Sequence, residues 1–300
     1  MAVIDKEFKE ICMEVLIKGR EYNNKKRGVK RLQIPSYTFK HSFSDGFPAI
    51  TNKKLYWKGV VGELIWFLRG DNNVRFLNKN NIKFWNKDAW NWYVKNLGTK
   101  NFEEFEQIGI GSVGQNYGVQ WRKFNGEIDQ IQQLIDGMKA DIMSSRLKVS
   151  AWNSSELNET ALPPCHDGFQ IIGVPLDNSK FGFELHWNQR SVDLFLGFPL
   201  NVASYSLLAK ILEKLTGYKA LGVEASLKCV HFYDNQYKAV DELLTRNSYT
   251  HENCTVKLPY IDTEADIDEV FNKFEIKDFD LIGYTSDKEI KVEMLAPKSI

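Results

Sequence analysis

Hydrophobic positions recur at helical spacing in the opening segment, where Phe8, Ile11, Cys12, Val15 and Leu16 stand at i, i+3, i+4, i+7 and i+8, with Gly19 following. This spacing predicts one amphipathic helix that stops at the glycine. The next stretch, YNNKKRGVKR, reads as a surface loop carrying Lys25, Lys26, Arg27, Lys30 and Arg31. Such a charge run is either a solvated face or an arm that binds an anion. From Leu32 to Phe43 the pattern becomes β-like, and SDGFP (Ser44 to Pro48) signals a turn. Val60, Val61, Leu64, Ile65, Phe67 and Leu68 then form a strongly apolar helix holding one acid, Glu63. A charge in such a run sits at a wet edge or is paired.

Residues 72–110 are rich in Asn, Lys and aromatics without a clean long period, which predicts short helices and loops in an insertion, centred on about 86–110. A helix is expected over 128–139, with Ile128, Ile131, Ile135 and Met138 on one side. Strands follow at Leu147 to Asn153, Gly168 to Val174 and Lys180 to Gln189. A helix from about Val202 to Leu215 ends at Gly217, and Asn201 in front of it is a natural N-cap. A strand through Leu227 to Tyr233 and a helix through Tyr237 to Arg246 come next, and the last forty or so residues are short, charged and mixed. With no internal repeat and no low-complexity linker, one α+β domain over 1–300 accounts for the pattern better than two.

Charge and cysteine content narrow the classes. The chain has 39 Lys+Arg against 39 Asp+Glu, and this zero balance argues against bulk capture of nucleic acid or an anionic membrane. Any anionic ligand must therefore meet a local cluster of cations. The cysteines, Cys12, Cys165, Cys229 and Cys254, contain no CxxC pair, so neither a zinc ribbon nor a dithiol redox motif is encoded and no metal site is expected. Charges at Asp5, Lys6, Glu7, Lys9 and Glu10 break any apolar leader, and no uncharged apolar run approaches the roughly 20 residues that span a bilayer. The expectation is a soluble, cytoplasmic protein with free thiols.

Chemistry concentrates at a few places. In Pro163-Pro164-Cys165-His166 two prolines hold the backbone extended before a thiol, which fixes where the sulfur points. A lone cysteine is otherwise often a small buried hydrophobe. Gln189-Arg190-Ser191-Val192-Asp193 gathers a guanidinium, a hydroxyl and a carboxylate at a strand end, and Gly197 to Asn201 leads into a helix. His231 and Tyr233 alternate at another strand end and so share a face, as core residues or as a recognition edge. A cysteine protease would need these residue types too, but nothing local favours it.

Five stretches together resemble the folate-dependent thymidylate synthases: GELIWFLRGD (62–71), SVGQNYGVQWR (112–122), ALPPCHDGFQ (161–170), QRSVDLFLGFPLNVASYSLLAKIL (189–212) and VHFYDNQ (230–236). The similarity runs in order from GFP (46–48) to IGYTSDKEIKVEM (282–294). The resemblance implies a large twisted mixed β-sheet packed by helices, with two such sheets face to face in a homodimer. It implies reductive methylation of dUMP at C5, with 5,10-methylenetetrahydrofolate as co-substrate giving both the one-carbon unit and hydride. Cys165 matches the nucleophile that adds to uracil C6. Arg190 lies by sulfur and phosphate, Ser191 matches a phosphate hydroxyl, and His231 and Tyr233 match groups on the ribose 3′-hydroxyl. Asn201 matches the reader of the uracil edge, where an amide suits uracil and a carboxylate would suit cytosine. Glu63 matches the carboxylate that moves protons. Tyr117 and His166 match its neighbours around the pyrimidine, and Trp85, Leu162, Asp193 and Gly197 match the wall beside the folate pterin.

Departures from the pattern are specific. Where a pair of arginines crosses to the partner's phosphate, this chain reads Ser144-Ser145-Arg146-Leu147, so Arg146 alone remains; the N-terminal phosphate arginine aligns with Lys26, a point charge without a bidentate fork. The usual Trp-Asp is Trp85-Asn86, Gln115-Asn116 precedes Tyr117, and MLAPKSI (294–300) runs past the usual end. Gln115-Asn116 and the tail raise an alternative in which water enters and the product is 5-hydroxymethyl-dUMP with tetrahydrofolate. A binding protein without turnover is a third reading.

Overall fold

The computed structural model describes residues 2–24, 28–97, 111–247 and 254–293. Helix α1 (Val3–Lys18) buries Phe8, Ile11, Cys12 and Val15, the positions its periodicity marks. The described residues on either side of 25–27 in the basic stretch after it are strands and not the expected loop. Strand β1 (Arg20–Asn24) runs antiparallel to β2 (Val29–Ser42), pairing Tyr22 with Arg31 and Arg20 with Gln33. Strand β1 and the first residues of β2 carry mostly polar side chains, so hydrophobic alternation could not reveal them, whereas the rest of β2 follows the β-like pattern expected from Leu32 to Phe43. Lys25, Lys26 and Arg27 lie outside the described residues.

Helix α2 (Trp57–Leu68) is buried along nearly its whole length; Glu63 is half-buried as a residue, with its carboxyl turned inward to the Trp85 indole. In the expected insertion, α3 (Arg75–Lys79) and α4 (Asn86–Leu97) are short helices; residues 98–110 are outside the described set. Helix α5 (Tyr117–Arg122) begins where the Asn116 side chain accepts the Val119 N–H. Helix α6 (Gln130–Ala140) is capped by Asp129 and buries Ile131, Leu134, Ile135 and Met138, whereas Ile128 precedes the cap and is exposed.

The main sheet has seven strands. Along it lie β1, β2, β7 (Lys219–Tyr233), β5 (Phe181–Gln189), β4 (His166–Pro175) and β3 (Lys148–Ser150), with the short β6 (Val192–Asp193) beside β7. Strand β3 is shorter than the expected Leu147 to Asn153. The register places Phe39, Ala225, Trp187, Phe169 and Val149 in one buried row across five strands. The adjoining row is Lys40, Glu224, His186, Gln170 and Lys148 on the other face. Period-two alternation thus gives the sheet one apolar face, covered by α1 and α7 (Gly197–Thr216) with α2 packed on α7, and one polar face. On that polar face Lys40 Nζ lies 3.3 Å from Glu184 and 3.7 Å from Glu224.

Strands β5 and β7 are parallel, so the chain must cross over between them, and α7 is that crossover. It starts at Gly197, not near Val202, which places Asn201 inside the helix and corrects the N-cap expectation. The chain turns in earlier because Asp193 Oδ1 accepts the Leu196 N–H at 3.1 Å. Pro199 then fits the first turn, where its missing N–H has no helical acceptor to lose. The helix ends at Gly217, whose φ of 77° is left-handed. Helix α8 (Tyr237–Thr245), α9 (Ile267–Lys273) and the hairpin of β8 (Thr255–Lys257) with β9 (Asp280–Ile282) complete the described fold. Among the described residues no helix is long and apolar enough to cross a membrane.

Strand β7 changes neighbours along its length, pairing with β5 up to Leu227 and with β6 at Val230 and His231. Between them Cys229 takes a left-handed φ of 47°. This left-handed residue thus sits where β7 changes neighbours, just before His231 and Tyr233.

At Gly222 a Cβ would collide with the backbone carbonyl of His41 on the adjacent strand. Gly222→Ala is therefore expected to destabilise the fold by about 1–3 kcal/mol, as overpacking typically does. Urea denaturation checks this; an unchanged midpoint would contradict the register given above.

Candidate active site

The backbone before Cys165 is held group by group. Arg190 donates from Nε to the Pro164 carbonyl at 2.7 Å and from Nη2 to the Pro163 carbonyl at 2.8 Å. Its backbone N–H donates to the Cys165 carbonyl at 2.8 Å. The Cys165 N–H donates to the Tyr117 hydroxyl at 2.7 Å. One arginine and one tyrosine thus fix the peptide planes on both sides of a half-buried thiol. The guanidinium also lies over the Trp152 ring, 5.5 Å from its centroid.

Aromatic rings set Tyr117 in place. It stacks on His166 with centroids 4.1 Å apart and meets Phe67 at 4.9 Å and Trp85 edge-on at 6.2 Å. Burial, and secondarily the proximity of Cys165, pushes its phenol well above the usual range, so it remains a neutral hydroxyl. His166 is buried and bonds through Nδ1 to the Tyr205 hydroxyl at 2.8 Å. Burial lowers its pKa to about 3, so the imidazole is uncharged at neutral pH. Glu63 accepts the Trp85 indole N–H at 2.6 Å. Burial raises its carboxyl to about 7, with that hydrogen bond partly opposing, so it holds or releases a proton near neutrality.

The orientation of Asn201 follows from its neighbours' chemistry. The Trp187 indole N–H can only donate, and it meets Gln189 Oε1 at 3.2 Å. Gln189 therefore presents Nε2, which donates to Asn201 Oδ1 at 3.0 Å and to the Ser191 carbonyl at 3.3 Å. The Asn201 amide is turned so that its carbonyl takes this bond and its NH2 group points elsewhere.

Asp193 pairs with His231 across the ladder, and both its oxygens accept from Gln236 Nε2 at 3.0 Å. Gln236 Oε1 in turn accepts the Tyr233 N–H at 3.0 Å, so one buried amide joins the strand ends. The His231 Nδ1 meets the Cys229 carbonyl at 2.6 Å; a carbonyl only accepts, so Nδ1 carries the proton and Nε2 is the acceptor nitrogen. His231 and Tyr233 have ring centroids 4.8 Å apart. Lys53, near Asp193, lies under the Phe195 ring and donates to its carbonyl; burial lowers its pKa to about 8. Gly197 opens α7 beside Asp193, and Leu162 is half-buried just before the prolines. Arg146 stands exposed in the turn before β3, apart from this cluster, and Lys26 is outside the described residues. No group of three His, Cys, Asp or Glu side chains suited to a metal occurs among the described residues.

The chain matches the family model described as thymidylate synthase over residues 6–296. It belongs to the thymidylate synthase family. It is 35% identical over 297 residues to a thymidylate synthase of Malacoplasma penetrans (strain HF-2), covering 95% of this chain and 98% of that protein. It is also 40% identical over 244 residues to a probable thymidylate synthase of Escherichia phage T5, covering 80% of this chain and 83% of the phage protein. The chain is accordingly a methyltransferase, and its large mixed sheet packed by helices is the fold expected of the family. Members of this family bind dUMP and use methylenetetrahydrofolate as co-substrate.

Residue types alone missed Gln189, Gln236, Trp152 and Lys53. Gln189 and Gln236 lie inside the resembling stretches, but nothing in an isolated glutamine says that it orients a neighbour. Their signal is positional: Gln189 starts the Arg190 segment and Gln236 follows the His-Tyr strand end.

The raised pKa of Glu63 has a stability consequence. The folded chain holds this proton more tightly than the unfolded chain, so stability falls as pH rises from 4.5 to about 7 and the contribution levels off above. Glu63→Gln is expected to flatten that part of the profile, read by urea denaturation at both ends of the window. An equal slope in the variant would contradict the burial assigned to this carboxyl.

Proposed function

We propose that this chain is a thymidylate synthase that converts dUMP to dTMP. The observation carrying this reading is the Arg190–Tyr117 clamp on the peptide of Cys165, together with an Asn201 amide whose orientation is dictated by Gln189. Uracil C5 is a poor nucleophile until a thiolate adds at C6. Cys165 makes that bond, C5 gains enolate character and attacks the one-carbon unit, and the C5 proton leaves. The bond from the one-carbon unit to the folate nitrogen then breaks, and hydride from the released tetrahydrofolate completes the methyl group as the thiolate departs, giving dTMP and dihydrofolate.

The other roles follow from each group's donors and acceptors. Asn201 donates from its NH2 group to O4, and its Oδ1, which has a second lone pair, accepts N3–H. Glu63, titrating near neutrality, moves protons around O4 and C5 through water. Tyr117 and His166 stay neutral and hold the pyrimidine side of the pocket. The 3′-hydroxyl donates to His231 Nε2 and bonds to Tyr233. The phosphate meets Ser191, Lys26 and the remaining N–H groups of Arg190, and Arg146 reaches it from the partner subunit of a homodimer. Two copies would meet through the polar sheet face described above. The chain acts as one catalytic domain over 1–300, with about 86–110 as its insertion.

Folate lies against Trp85, Leu162, Asp193 and Gly197. A neighbouring groove of 390 Å³ supports this assignment, since Leu55, Phe84 and Leu200 give it apolar walls while Lys53, Lys54 and Lys83 bring three cations against the single carboxylate of Glu289. An aromatic body ending in carboxylates suits such a lining.

The test mixes enzyme, dUMP and methylenetetrahydrofolate, follows dihydrofolate by absorbance and weighs the nucleotide. Dihydrofolate and dTMP are expected in equal amounts. A 5-hydroxymethyl product with no dihydrofolate would overturn the synthase reading in favour of the hydroxymethylase. Cys165→Ala is expected to lower kcat by at least about ten-thousandfold, the scale for removing a covalent nucleophile; a near-normal rate would contradict its role.

A further inference from the structure

Two polar side chains on β2 sit opposite the proposed sugar-reading pair. The register sets Arg31 against Tyr233 and Gln33 against His231. Residues directly opposite in a ladder project to the same face, so all four side chains share one surface. The same register continues to β1, where Tyr22 faces Arg31 and Arg20 faces Gln33, and to β6, where Asp193 faces His231. Two rows result: Tyr22, Arg31 and Tyr233 in one, and Arg20, Gln33, His231 and Asp193 in the other.

Arg31 is prepared for a ligand more than for the fold. Its guanidinium lies over the Tyr22 ring, 4.8 Å from the centroid, which restricts a long side chain before anything binds. Among the described residues it forms no ion pair; the ion pair nearby, Lys30 with Glu21, and the hydrogen bond that Asp234 accepts from a backbone N–H are both made by its neighbour Lys30. Its Nε is buried without a hydrogen-bond partner, as is Gln33 Oε1 in the adjacent row. Buried polar atoms are ordinarily satisfied, so orphaned ones flanking a proposed ligand edge mark where ligand or ordered water completes the site. The row of Gln33 ends on Asp193 at the folate wall; that of Arg31 is the next one along, away from that carboxylate.

We propose that Arg31 is a phosphate-binding residue of the nucleotide site, acting from the same subunit and adding a cation to Arg190. The inference rests on dUMP being the substrate. It also gives the dianion a further partner in a chain where Ser145-Arg146 offers one arginine in place of a pair. Gln33 lies beside it as a polar neighbour of the sugar, accepting through Oε1.

Dissociation constants for dUMP and for deoxyuridine, which lacks the phosphate, test this in the full-length protein. Arg31→Gln is expected to weaken dUMP by about ten- to a hundredfold, the loss of one charge-assisted hydrogen bond, while deoxyuridine changes less than about twofold. Arg31→Lys should recover part of the loss. Tyr22→Leu, which removes the ring under the guanidinium and keeps the charge, should weaken dUMP by about two- to fivefold and supplies a second reading should Arg31→Gln fold poorly. Unchanged dUMP affinity in Arg31→Gln, or deoxyuridine weakened as much as dUMP, would overturn the inference alone. A wild-type chain without measurable dUMP affinity would overturn the proposed substrate as well.

Discussion

Two consecutive prolines place carbonyl groups in front of Cys165 without the N–H groups that would tie that backbone into a ladder. Arg190 supplies what the prolines lack, taking three successive carbonyls with its Nε, its Nη2 and its own backbone N–H. Each such bond is worth about 1 kcal/mol, and those from the charged guanidinium about 1.5–3 kcal/mol. Tyr117 closes the other side by accepting the Cys165 N–H. The sulfur therefore projects from a peptide with little freedom, and a guanidinium is held on the two carbonyls that precede it by the same bonds. Arg190 can occupy that position because β5 ends there, and Tyr117 because Asn116 starts its helix. The rest of the sheet serves to bring these two ends together.

Burial sets the electrostatics of the surrounding groups. It raises Glu63, Tyr117 and Tyr205 and lowers His166, so each favours its neutral form. Formal charge near the thiol is concentrated in Arg190, while Asp193 is fixed by Gln236 farther along. The whole-chain balance of 39 against 39 hides this separation. A neutral total is compatible with anionic substrates because cations stand at chosen positions, Arg190 just past the end of β5, Arg31 on β2 and Lys53, Lys54 and Lys83 around one groove.

Much of the fold was legible where burial imposes a period. Helices α1 and α7 and strands β4, β5 and β7 each carry an apolar face, and Gly217 stops α7 as its left-handed backbone requires. Strand β1 and the first residues of β2 were illegible for the opposite reason, because they present mostly polar side chains on both faces. Asn201 misled because a good capping residue next to a helical pattern is ambiguous; the turn made by Asp193 with the Leu196 N–H decides where the helix begins. In the candidate site, Cys165, Arg190 and Tyr117 were legible through their motifs. Gln189, Gln236 and Arg31 were not, since each acts through a neighbour that only register and side-chain geometry bring close.

The claim on which the account turns is that the clamped Cys165 thiolate attacks C6 of the pyrimidine. A dUMP analogue with fluorine at C5 has no proton to lose there, so the enzyme should halt after both bonds have formed. Mass spectrometry of the protein incubated with that analogue and methylenetetrahydrofolate measures this directly. A single covalent adduct of nucleotide plus folate on the peptide containing Cys165 is the result predicted. No adduct, or one on another cysteine, would contradict it.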